Sequence, residues 1–192
     1  MKQFAWLGVV AVLSGCDIVD LASCNDSDQF SDAISATGLT TLLADTEDGN
    51  IRIQGRSGIN EVRVSARACS NDSRTTREID FDLFRSNGAA RLTSFVPSYD
   101  NARLDLTIEV PLDFDVDIFA GSGDLDISDV FAAFITDGSG DIDITDIEED
   151  VIIDEDGSGN IDVDDVGGDL IVRIDRSGSI HYSNVRGTVQ VP

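Results

Sequence analysis

Four Ser-Gly pairs, beginning at residues 122, 139, 158 and 177, stand 17, 19 and 19 residues apart. The segments after them align without gaps as GDLDISDV, GDIDITDI, GNIDVDDV and GSIHYSNV. An internal period of this length marks an array in which each copy is one small unit that must pack against its neighbours. Within the copies apolar and polar residues alternate, through Leu125 and Ile127, Ile142 and Ile144, Ile161 and Val163, and Ile180 and Tyr182. Period two is the signature of a strand. The stretches before each Ser-Gly, VDIF, FAAFIT, VIID and LIVRID, are rich in β-branched and aromatic residues, so each unit holds about two strands and two turns. A strand pair this short buries its apolar face only by stacking on the next, about 4.8 Å away, which sets Leu125, Ile142, Ile161 and Ile180 in one inward column. Glycine at the corner permits a positive φ that a side chain would oppose. The expected class is all-β, a single-stranded parallel β-helix (a solenoid) over residues 113–192. Upstream, NIRIQG, EVRVSARA, EIDFDLF and ARLDLTIEVP alternate in the same way but lack the Ser-Gly pitch. Residues 38–112 are read as an N-terminal β region of irregular coils or hairpins continuing the stack. No helix longer than a turn or two is expected.

The chain begins MKQFAWLGVVAVLSGC, an apolar run too short to span a membrane, followed by small residues and a cysteine. Leu13-Ser14-Gly15-Cys16 resembles the lipobox of bacterial lipoproteins. That resemblance implies that residues 1–15 are a signal peptide, that Cys16 is lipidated, and that residues 16–37 are a tether and N-terminal segment. The implied location is the cell envelope, with the membrane reached through the N-terminal lipid. Asp17 resembles an inner-membrane retention signal that Ile18 does not reinforce, so the choice of membrane stays open. With Cys16 acylated, Cys24 and Cys69 remain as an even pair in an oxidising compartment and are predicted to be joined.

The formal net charge is −24, which makes nucleic acid and anionic lipid head groups poor partners. At 41% hydrophobic residues the chain nonetheless has the material for a core, unlike a disordered acidic tail. The charge is unevenly spread. Residues 113–175 hold 21 acidic side chains against Arg173 alone, whereas residues 51–103 hold nine arginines.

Residues 154–165, DEDGSGNIDVDD, place Asp154, Asp156, Ser158, Gly159, Asn160, Asp162 and Asp165 where an EF-hand loop keeps its ligands, turn glycine and last carboxylate. Its flanks read as strands, not helices, and most of the match is the repeat itself. In the other copies the place of Asp154 falls on Ile118, Ile135 or Arg173. A calcium-binding β-roll needs an aspartate where Ile142 and Ile161 stand. Stacking the copies predicts three carboxylate ladders instead: Asp124, Asp141 and Asn160; Asp126, Asp143 and Asp162; and Asp129, Asp146 and Asp165 near a corner. Carboxylates about 5 Å apart repel by roughly 1 kcal/mol in bulk water and more near protein, so they splay, take up protons or share cations. Two readings follow: a solvated ladder that keeps the solenoid soluble and discourages lateral edge pairing, or weak calcium binding by Asp141, Asp143, Asp154, Asp156, Asp162 and Asp165, with no other cofactor.

His181 is the sole histidine and lies on a repeat strand, so no Ser-His-Asp arrangement can be argued, and zinc would lack ligands. A carbohydrate-active enzyme using paired carboxylates such as Asp141 and Asp143 is the least unreasonable catalytic alternative. It lacks aromatic platforms, because Phe131 and Phe134 are expected in the core or an end cap.

The succession NIRIQGRSGINEVRVSARACSND, LDLTIEVPLDFDVDIFAGSGDLDI, and repeated Gly-Ser-Gly units ending in GTVQVP resembles the bacterial putative-adhesin families of exported β-solenoid proteins, across about 150 residues. The resemblance implies a cell-envelope β-helix and lends no catalytic residues. The expected function is non-catalytic display of an acidic face to an envelope protein or polysaccharide; a structural spacer is the remaining alternative.

Overall fold

The structure is a computed structural model that describes residues 24–192. Cys16 and the leader lie outside the described residues. In chain order the strands are β1 (Asp26–Ser35), β2 (Thr41–Asp45), β3 (Ile51–Arg56) and β4 (Glu61–Ser70). After the single-turn helix α1 (Ser73–Thr76) come β5 (Asp80–Ser86), β6 (Ala89–Phe95) and β7 (Arg103–Pro111). The repeats supply β8 (Asp115–Ser122), β9 (Leu125–Ser128), β10 (Ala132–Ser139), β11 (Ile142–Ile147) and β12 (Val151–Asp156). They continue through β13 (Ile161–Val166), β14 (Leu170–Val172), β15 (Ile180–Val185) and β16 (Val189–Gln190). The all-β expectation is borne out.

Two eight-stranded mixed sheets share one apolar core. The first runs β1-β4-β7-β3-β9-β11-β13-β15 and the second β16-β14-β12-β10-β8-β2-β6-β5. From β8 onward successive strands alternate between the sheets, and each pairs in parallel with the strand two places on. The inward column forms in the expected register, Leu125 beside Ile142, Ile142 beside Ile161, and Ile161 beside Ile180. It extends backwards through Ile51, Leu106 and Ala66. These residues are buried except at the last strand.

The chain turns twice per repeat, and each corner has a physical cause. At one, Gly123, Gly140, Gly159 and Gly178 adopt φ of 113°, 137°, 145° and 147°. A Cβ on Gly159 would lie 1.7 Å from the carbonyl oxygen of Gly140, so stacked corners leave no room for one. At the other, Asp129, Asp146, Asp165 and Asn184 take φ between 53° and 58°, the left-handed region that aspartate and asparagine tolerate best. That residue breaks the in-out alternation, so Ile144 and Ile147 both point inward around Asp146. The recurrence of this aspartate in the sequence thus has a backbone origin.

The unequal pitch of the repeats has two sources. Ile135 pairs with Ile153 but Thr136 pairs with Glu155, so Asp154 is an extra residue bulged out of β12. The corner before β12 is also one residue longer. Asp154 is therefore not the counterpart of Ile135, because a gapless alignment slides past a bulge. Phe134, expected in the core or an end cap, faces outward on β10, where it is exposed, and Phe131 is partly buried.

Cys24 and Cys69 are joined, with Cα atoms 5.6 Å apart, tying the start of β1 to the end of β4. Reduction is expected to raise the intact mass by about two daltons. It should lower stability by up to roughly 4 kcal/mol in the chain-entropy model, measured as a shift of the denaturant midpoint with and without reductant.

Candidate functional site

The outer face of the first sheet carries two of the predicted ladders, and they behave differently. In the one after the glycine corner, each side chain serves the next backbone. Asp105 accepts the N–H of Asn50 at 3.1 Å, and Asn50 Oδ1 accepts that of Asp124 at 3.0 Å. Asp124 accepts the N–H of Asp141 at 3.2 Å, and Asp141 that of Asn160 at 2.7 Å. These carboxylates are partly committed to holding adjacent repeats together.

The second ladder is freer. Arg52, Asp126, Asp143, Asp162 and His181 lie side by side on successive strands. Arg52 Nε donates to Asp126 Oδ2 at 2.9 Å, and at the far end His181 Nδ1 stands 3.5 Å from Asp162 Oδ1. Asp143, between them, has no ion pair among the described residues. Its carboxyl is pushed above the usual range by desolvation first, and then by Asp162, Asp126, Asp141 and Asp124. Asp164 is held below that range by hydrogen bonds from Ser183 and Asn184.

Upstream of Asp126 the same outward row continues through Thr107, Ser65 and Ser31. There the surface holds an open groove of about 900 Å³. Hydroxyls of Ser31, Ser65 and Thr107, the amide of Gln29, and the guanidinium groups of Arg52 and Arg67 line it, beside Asp105 and Asp126. It is the place where the N-terminal arginines meet the acidic repeats.

The six carboxylates of the calcium reading do not share one place. Asp141 and Asp143 lie on the outer face of the first sheet, with Asp162 beside Asp143 on the next strand. Asp154 projects from the bulge in the second sheet and pairs with Arg173, while Asp165 occupies a left-handed corner. Asp156 points inward and is fully buried. Among the described residues no three His, Cys, Asp or Glu side chains converge as a metal-ion site.

Asp156 belongs to a column that sequence reasoning missed. Ala120, Asp137 and Asp156 pair strand to strand, with Asp175 bridged beyond them. Asp137 is 2% exposed and Asp156 0%. Among the described residues neither oxygen of either carboxyl, nor Oδ1 of Asp175, has a hydrogen-bond partner. Burial, and after it the neighbouring Asp156, pushes Asp137 up to about 7. Burial and then Asp175 also raise Asp156; the neighbouring Asp137 carboxyl, and after it the N–H groups of Ser158 and Gly157, oppose the rise. The alternation marked Asp137, which falls on an inward position of β10, but not Asp156, which the bulge at Asp154 turns inward against the alternation of β12.

No family model matches the sequence, and no curated protein matches it significantly. Solved structures to which the chain is similar include a putative cell adhesion protein from Clostridium sporogenes, at 10% identity and a TM-score of 0.45. That match covers 86% of this chain and 100% of the other. A putative adhesin from Bacteroides fragilis is similar at 14% identity and a TM-score of 0.45, over 85% and 96% of the two chains. A putative lipid binding protein from Parabacteroides distasonis is similar at 8% identity and a TM-score of 0.28, over 84% and 96%.

Proposed function

We propose that this protein is a non-catalytic lipoprotein of the cell envelope, held by lipid on Cys16. It displays the outer face of a β-solenoid to an envelope polysaccharide or protein. The observation that carries the reading is the groove on the first sheet. Ser31, Ser65, Thr107, Gln29, Arg52 and Arg67 line it, and a continuous carboxylate row leads away from it. Such a surface offers donors and acceptors in repeat along one line, suited to an extended polar ligand. The parallel pairing of alternate strands from β8 to β16 supports the solenoid description and gives the row its rigidity. The arrangement supplies positioning and charge but pairs no nucleophile with a base.

Divalent cations tune this face weakly, because Asp126, Asp143 and Asp162 would have to swing toward a shared ion to supply several oxygens. The test is retention of polysaccharide and protein fractions from envelope extracts on the immobilised full chain, with and without millimolar calcium. A fraction held by the wild type and released by Ser65→Trp, which fills the groove, supports the reading. Equal retention by an unrelated protein of the same net charge would falsify it.

A further inference from the structure

The two ends of the stack are built differently. At one, Phe30 on β1 and Phe81 on β5 stack across the sheets with centroids 5.4 Å apart. The guanidinium of Arg85 reaches over to donate to the carbonyls of Ser35 at 2.6 Å and Thr37 at 2.8 Å. That end is tied across the two sheets, while the outer edge of β1 is unpaired among the described residues. At the other, β15 and β16 are the outermost strands, each paired on one side only among the described residues. Residues continuing the buried rows are only partly covered there: Ile180 beside Ile161, Val185 beside Val166 and Val189 beside Leu170 are half-buried, and Tyr182 beside Val163 is exposed. Tyr182 is 49% exposed where Val163 is 3%.

The open end also differs in charge. Residues 176–192 contain Arg176, His181 and Arg186 and no acidic side chain, on a chain of net charge −24. Arg176 turns back to Glu155 at 2.7 Å and His181 toward Asp162, but Arg186 makes no ion pair among the described residues. The tied end is the reverse. β1 carries Asp26, Asp28 and Asp32 with no basic residue, and β5 carries Asp80 and Asp82 against Arg85. Direction agrees as well. β1 is antiparallel to β4, which is antiparallel to β7, and every strand from β7 to β15 in that sheet is parallel, so β1 and β15 run the same way.

We propose that the β15 edge of one copy docks on the β1 edge of a second, head to tail. An open strand edge with apolar residues beside it recruits another strand unless something blocks it, and nothing on β15 does. Joining two like ends would oppose Arg186 to its own copy, whereas joining unlike ends sets the basic edge against three aspartates. Because the two patches differ, the contact does not close on itself and association continues past two copies.

Light scattering and sedimentation of the full chain in mild detergent test this across a dilution series at low and high salt. The expected result is an average mass that rises with concentration beyond two copies and falls as salt screens the contact. Arg186→Glu should abolish the rise. So should Tyr182→Pro, since the Ser179 carbonyl accepts from Ile161 and the alternation turns the Tyr182 N–H to the open edge. Proline there removes a donor that only a partner would use, and an unchanged far-UV spectrum shows that the fold survives. Mixing Arg186→Glu with Asp28→Arg/Asp32→Arg should restore association between the unlike copies. A mass of one copy at every concentration, a mass that stops at two, or association indifferent to both tail substitutions would overturn the proposal.

Discussion

Stability is expected to fall as pH rises from about 4 to about 7, and Asp137→Ala to remove most of that fall. The carboxyl of Asp137 titrates near 3.8 in the unfolded chain and at about 7 in the folded one. Between those values the folded state holds a proton that the unfolded state has released, so stability drops with each increment of pH. The contribution is complete below about 4 and gone above about 7; over that interval it amounts to about 4 kcal/mol as an upper figure. Asp156, raised in the same direction, adds to the slope. Alanine is the informative replacement because Ala120 already occupies the same column one strand earlier. At pH 8 the variant should melt on the order of 10 °C higher than the wild type, the usual response of a domain this size to a few kcal/mol. Thermal melts across pH 4 to 8 decide it, and a wild-type profile flat over that range would show that the column carries no extra proton.

The second large effect lies at the glycine corner. Gly159→Ala should cost about 3–5 kcal/mol, because the new methyl would sit 1.7 Å from a backbone carbonyl and cannot be relieved without parting adjacent repeats. Gly58→Ala is the uncrowded comparison, at a left-handed φ that side chains tolerate better than that of Gly159. Gly58 also has a positive φ, of 75°, but nothing lies within 4 Å of its added Cβ, so the cost should stay near 1 kcal/mol. Urea midpoints of the two variants measure what the stacked corner costs beyond an open left-handed turn. Similar losses at both sites would show that the corner relaxes around the added methyl.

Much of the stacked region was legible because its period is short and its alternation strict. The Ser-Gly pitch located one corner, and the recurring aspartates located the other, although their cause is a left-handed backbone rather than ligand chemistry. A further copy of the repeat is much harder to see in the sequence. Asp48-Gly49-Asn50-Ile51-Arg52-Ile53 lies directly beside Leu125 to Ser128, with Asp48 bridged to Ser122 and Gly49 at φ 143°. Its signal was present in Gly-Asn-Ile, shared with residues 159–161, but it stands more than 70 residues from its neighbour and has aspartate in place of serine. The groove was not legible at all. It depends on bringing β1, β4 and β7 beside β3, and alternation within single strands carries no information about which strands will pair. The buried carboxyls were hidden for another reason, since in so acidic a chain two inward aspartates look like two more outward ones.

The placing of β3 between β7 and β9, and of β2 between β6 and β8, bears on how the molecule assembles in time. Ile51 finds its neighbours at Leu106 and Leu125, so in a chain emerging N-terminus first β3 waits for its first partner until residue 106 has emerged and for its second until 125. Closing such loops precedes any reward from the contacts, which makes this the slow step. Once it is complete, each remaining repeat has a finished edge to settle on and only local loops to close. Kinetically, then, the molecule is a late-forming nucleus that is extended by rapid sequential growth toward its C-terminus.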